Sequence, residues 1–143
     1  MIEQAWNFRA TPQQQIAAGL RFYAGQMEGR LPDSIDDDGI EGMHADLLEK
    51  LPEQDRRTLA DPVAAACDKL AIVTKQVGPV WPLTTGLVEV REDKVHYLGK
   101  GLRAGDGSKI VAWWKAEKPG RAIAVYDDFS WKEIDEPAAA PAP

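Results

Sequence analysis

The sequence predicts an α+β domain: an N-terminal amphipathic helix and further short helices packed on a small antiparallel β-meander. Three observations predict it. Thr11-Pro12-Gln13-Gln14 is a capping box with proline at the first helical position. The stretch from Lys94 to Ile134 consists of short apolar runs divided by Gly, Pro and Asp, which are strand-and-turn signals. The helical signals precede the strand signals instead of alternating with them, so a parallel βαβ sheet is disfavoured.

The first helix is expected over residues 12–28. Ile16, Leu20, Tyr23 and Met27, with Phe22 alongside, recur at helical intervals and form one apolar stripe, and Gly29 ends it. After the acidic run Asp36-Asp37-Asp38, Met43, Leu47, Leu48 and Leu51 predict a second, short helix that stops before Pro52. Asp61-Pro62 repeats the cap-then-proline signal and predicts a third helix to about Gln76, with a stripe of Val63, Ala66, Cys67, Leu70 and Val73 or Thr74. Gly78-Pro79 and Trp81-Pro82 are read as stops, and Thr84 to Arg91 as one more strand. The meander then follows: Val95 to Leu98, Ile110 to Trp114, Ala122 to Tyr126, and Phe129 to Ile134.

The 143 residues suit one domain over residues 11–136, with residues 1–10 as an extension and 137–143 as a disordered Pro/Ala tail. A formal charge of −6 repels phosphate backbones, so nucleic acid is excluded as the expected partner. No apolar run approaches the roughly 20 residues a membrane span needs. Cys67 is the single cysteine, which excludes an internal disulfide; its alanine-rich surroundings predict a small buried hydrophobe.

Three segments carry a resemblance. The capped helix followed by Gly29-Arg30-Leu31-Pro32-Asp33-Ser34-Ile35 resembles the register of type II secretion pseudopilins and related pilin-like proteins. Tyr97-Leu98-Gly99-Lys100-Gly101-Leu102 and Val125-Tyr126-Asp127-Asp128-Phe129-Ser130-Trp131 are similar to the final hairpin of that family, including pilin-like extracytoplasmic domains of planctomycete-type proteins. The resemblance implies a pilin-like fold and a bacterial binding or assembly role, through a protein partner or self-assembly. It places the chain outside the cytoplasm if an export signal or anchor precedes Met1 in a longer precursor, and in the cytoplasm otherwise.

Ser34-x-Asp36-x-Asp38-Gly39 resembles the first half of a calcium loop, where alternate oxygen ligands converge on a hard cation. The twelfth position, which needs a bidentate Glu, is Ala45. A solvated acidic loop without a cofactor is therefore the simpler reading. Ser34, Asp36 and Asp38 are kept as a candidate calcium site in the weak range of about 10⁻⁴ to 10⁻³ M. A second function class, a small divalent-metal-dependent hydrolase, would use Asp36, Asp38 and His44; a third is a cytosolic regulatory domain.

Other motifs point to structure. His44 and His96 are far apart in sequence, and Gly99-x-Gly101 follows a strand without opening a helix, so it is a turn-rich loop and not a dinucleotide site. Asp127 and Asp128 are expected as turn residues. Trp113 and Trp114 are adjacent on a strand and must face opposite sides. With Trp131 they make up the candidate interface, and the expected protein is non-catalytic.

Overall fold

The computed structural model describes residues 10–137. The expected N-terminal extension, but for Ala10, and the expected Pro/Ala tail, but for Pro137, lie outside the described residues. The fold is α+β. Helix α1 (Pro12–Gln26) leads to α2 (Asp37–Glu49), α3 (Glu53–Ala60), α4 (Ala66–Val77) and, after a short 3-10 turn, α5 (Trp81–Val90). Strands β1 (His96–Tyr97), β2 (Ile110–Lys115), β3 (Arg121–Tyr126) and β4 (Trp131–Asp135) form an antiparallel sheet in sequence order.

The capping box at the start of α1 is formed. Thr11 Oγ1 accepts from Gln14 N, and the Gln14 side chain accepts in return from Thr11 N at 2.8 Å; such a cap is worth about 1 kcal/mol. Ile16, Leu20 and Tyr23 are at most 1 % exposed, so the stripe read from the sequence is the core-facing one. The helix closes at Gln26. Gly29 takes φ +90°, its N–H donates to Ala24 O at 2.8 Å, and Glu28 before it is also left-handed.

Four sequence expectations are corrected. Thr84 to Arg91 is not a strand: it lies almost wholly in α5, with Arg91 as its left-handed cap at φ +68°. The β-branched Thr84, Thr85, Val88 and Val90 favour a strand locally, but Pro82 sits in the first turn of this helix and starts it instead of stopping one. Leu83, Gly86 and Leu87 bury against the core, and this tertiary packing overrides propensity. The second correction concerns Asp61-Pro62, which opens no helix. Asp61 Oδ1 accepts from Val63 N at 3.0 Å and makes a local turn, and α4 begins only at Ala66; the unexpected α3 starts after Pro52.

Third, the stripe expected for the third helix does not face the core as a unit: Val63 lies ahead of α4, and of the residues within it only Val73 turns inward. Val63 is 87 % and Leu70 67 % exposed, and Cys67 is exposed as well. Helix α4 instead turns Ile72, Val73, Gln76 and Val77 inward, where Gln76 Nε2 donates to Leu47 O at 2.6 Å. Cys67 in the folded protein should therefore react with a thiol reagent as fast as in the denatured chain. A labelling rate that rises tenfold or more in denaturant would mean that the thiol is covered. Fourth, the meander is shorter at its ends than read: β1 keeps only two ladder residues, and Phe129 lies in the β3–β4 turn at φ +66°.

Small residues set the crossing of α1 and α5. A β-carbon placed on Gly19 would lie against Leu83 Cβ and 2.9 Å from Leu83 N, and one on Gly86 would meet Ile16 Cγ1 at 2.8 Å and Pro12 O at 3.0 Å. Only glycine admits so close an approach, and it seats α1 between α5 and the sheet, where Leu20, Leu83, Val111, Trp114 and Val125 belong to one core. Burying each such large apolar side chain contributes about 1.5–3 kcal/mol.

The candidate interaction surface

Cross-strand register sorts the three candidate tryptophans. Tyr97, Ala112, Val125 and Trp131 form one row across the sheet, and His96, Trp113, Ala124 and Lys132 form the next. Adjacent rows face opposite sides. Trp131 is therefore on the face that carries α1, whereas Trp113 is on the other. Trp114 is only 6 % exposed within the core, so it leaves the candidate interface, and the expected inward and outward split of the pair is Trp114 in, Trp113 out. The Trp113 ring stacks on His96 with centroids 4.0 Å apart and planes 11° apart, and on the same face Lys132 Nζ lies 5.0 Å from the Tyr126 ring centroid.

Trp131 stays 41 % exposed, and it closes one side of a groove of about 560 Å³. The opposite wall is a flank of α1: Gln14, Ala17, Ala18, Arg21, Phe22 and Gly25, at the intervals of a helix stripe. Phe129 completes the aromatic end. Ala18 and Gly25 leave the floor low, and a β-carbon on Gly25 would meet nothing within 4 Å among the described residues. The sequence reading identified Trp131 but missed the α1 flank and Phe129. Residues more than 100 positions apart make this groove, and no local spacing announces it.

The acidic segment is built as a helix start. Asp36 caps α2: its Oδ1 accepts from Gly39 N at 2.8 Å and from Ser34 Oγ–H at 3.0 Å. These bonds hold its carboxyl below the usual carboxylate range, the Gly39 N–H first. Asp37 and Asp38 occupy the first turn of α2, where carboxylates favour the positive end of the helix dipole. Gly39 serves this cap, because a β-carbon there would run into the carbonyl of Ser34.

The three residues of the metal-hydrolase reading do not converge. Asp36 lines a cleft with Asp33, Glu92, Asp93 and Lys100; Asp38 lines another with Tyr23, Arg30 and Asp46; His44 lines a third with Glu41, Thr84 and Glu92. Among the described residues no group of three or more His, Cys, Asp or Glu is placed to hold a metal ion. Glu92 and Asp93 bring further carboxylates to the first cleft. Desolvation first, and then Asp37, Asp36 and Asp93, push the Glu92 carboxyl above its ordinary range. His44 Nε2 and Thr84 Oγ1 are both covered and have no hydrogen-bond partner among the described residues.

The first two of the segments that carry the pilin-like resemblance meet in space. Leu31 N donates to Leu102 O at 3.2 Å, Ala104 N to Gly29 O at 2.7 Å, and Tyr97 Oη to Pro32 O at 2.5 Å. Nearby, Tyr23 Oη donates to Asp46 Oδ2 at 2.6 Å, and burial with this carboxylate pushes the Tyr23 phenol up to about 12. No helix among the described residues is long and apolar enough to cross a membrane. Compared with known proteins, the chain matches no family model, no curated protein and no solved structure.

Proposed function

We propose that the chain is a non-catalytic binding or assembly domain of pilin-like character that works outside the cytoplasm and engages a protein partner or further copies of itself. The observation that carries this reading is the aromatic groove of Trp131, Phe129 and Phe22 between α1 and β4. An exposed tryptophan beside low-lying Ala18 and Gly25 offers a partner a large apolar contact with little reorganisation. The acidic residues support a structural role in this reading, since Asp36 is committed to its cap and Asp38 to the first turn of α2.

The test is co-purification after in-cell crosslinking of the tagged full chain, with its melting curve measured in parallel. Trp131→Ser should lose the partner or the assembly with the melting temperature held, because the side chain is 41 % exposed. Asp36→Asn with Asp38→Asn should keep both, since asparagine caps a helix about as well as aspartate. Calcium at about 10 µM should leave the melting curve unmoved. Assembly that survives Trp131→Ser and Trp113→Ser but fails in the double Asp variant, or a calcium shift that this variant abolishes, would move the function to the acidic segment.

A further inference from the structure

We infer that the groove and the open edge of β4 together form a β-strand-addition site for an extended peptide that alternates apolar and acidic side chains. The inference rests on the binding-domain reading and names the partner's chemistry. Among the described residues β4 pairs with β3 alone. Tyr126 N donates to Ser130 O at 2.8 Å and Glu136 N to Gly120 O at 2.8 Å. In an antiparallel ladder the bonded positions alternate, so Ser130, Lys132, Ile134 and Glu136 bond inward to β3. The N–H and C=O groups of Trp131, Glu133 and Asp135 consequently point outward, ready to pair with another strand.

The dimensions agree. The α1 flank from Gln14 to Gln26 extends about 18 Å at 1.5 Å per residue, and the five residues of β4 extend about 17 Å. An added strand would run along the whole groove, with every second side chain directed under α1 beside Trp131, Phe129 and Phe22. This is the geometry in which main-chain bonds give affinity and alternate side-chain pockets give specificity.

Charge selects the occupant. Glu133 is held by Arg121 and Lys118, and Asp135 by Arg121, so the carboxylates of β4 are neutralised within the domain. Arg21 on the groove wall and Lys132 on the outer row make no ion pair among the described residues. With the apolar side chains of the peptide directed under α1, its acidic side chains lie on the opposite face of the added strand, where they would meet Lys132. A second copy of β4 fits poorly: two-fold pairing centred on Lys132, Glu133 or Ile134 sets Lys132 against Lys132, or Glu133 against Glu133 or Asp135, where like charges directly opposite are destabilising, and pairing centred on Trp131 runs at once out of the strand into the Phe129 turn.

The experiment pans a random peptide library against the full chain and titrates the best synthetic peptide, with both termini blocked, into isotope-labelled protein. Selected peptides should alternate aliphatic or aromatic residues with Asp or Glu. Their binding should slow hydrogen exchange at the amides of Trp131, Glu133 and Asp135, which is the outward set, and shift the signals of Ala18 and Phe22. Lys132→Glu should weaken binding roughly three- to tenfold. Ala18→Trp, at an exposed position, should fill the groove and abolish binding with the melting curve unchanged.

An empty selection, basic peptides, or protection outside β4 would overturn the inference. So would equal binding by a peptide N-methylated at alternate residues, which cannot pair with the edge. In each of these cases the binding-domain reading stands as long as Trp131→Ser still loses the partner in cells, and it falls separately if it does not.

Discussion

Gly19→Ala and Gly25→Ala, the same change on the same helix, should move stability in opposite directions. At Gly25 a β-carbon meets nothing within 4 Å among the described residues, so only the backbone entropy of glycine is removed and the helix should gain up to about 1 kcal/mol. At Gly19 the added carbon collides with Leu83 Cβ and comes within 2.9 Å of Leu83 N and 3.1 Å of Leu83 Cα. Backbone atoms cannot rotate away as a side chain can, so α1 and α5 must separate, and overpacking of this kind costs about 1–3 kcal/mol or more. Gly19→Val should cost more still, a large part of the roughly 5–15 kcal/mol that holds a domain together. Urea midpoints of the three variants measure this; a Gly19→Ala midpoint at or above the parent would show that the crossing is looser than described.

That crossing also shows where the sequence is legible and where it is not. The capping box and the Ile16, Leu20, Tyr23 stripe are local: a side chain three residues from its partner, and a period of 3.6, survive without tertiary information. The strands are legible for the same reason, since turn residues bound them and their period is two. Helix α5 was hidden because its β-branched residues favour a strand, and what decides the matter is burial against α1, a contact between residues more than 60 positions apart. Helix α4 misleads in the opposite way. Its apolar periodicity is real, yet Cys67 and Leu70 lie on the outward arc, because periodicity reports a stripe and not the side on which the core sits.

The candidate site divides along the same line. Trp131 is visible as an aromatic residue in a strand that reads as the last one, but its opposite wall comes from the first helix. The acidic run looks like half of a cation loop because caps and cation loops draw on the same residue types, Ser, Asp and Gly, for related reasons. What separates them is whether the backbone after Asp36 becomes helical, and it does: the first-turn carboxylates then follow the helix and do not converge on one point.

Asp127→Ala should destabilise the fold by about 3 kcal/mol and should loosen the groove with it. Asp127 is 3 % exposed, and its Oδ1 accepts from Gly107 N at 2.7 Å and more weakly from Lys109 N at 3.5 Å. Around it the backbone is doubly tied, by Gly105 N to Asp127 O and by Asp127 N to Lys109 O, each at 2.9 Å. The carboxylate thus pins the long loop before β2 to the β3–β4 turn, and a β-carbon on Gly105 would strike it. The turn expected from the sequence is present at Asp128, whose Oδ1 accepts from Ser130 N at 3.0 Å; Asp127 does more, because truncating it leaves a part-buried N–H without its acceptor. Asp127→Asn keeps an acceptor oxygen and should lose only about 1 kcal/mol. Since Phe129 and Trp131 follow directly in the chain, exchange at the Gly107 amide and at the β4 amides should quicken together in Asp127→Ala. Faster exchange at Gly107 alone would show that the loop and the groove are held independently.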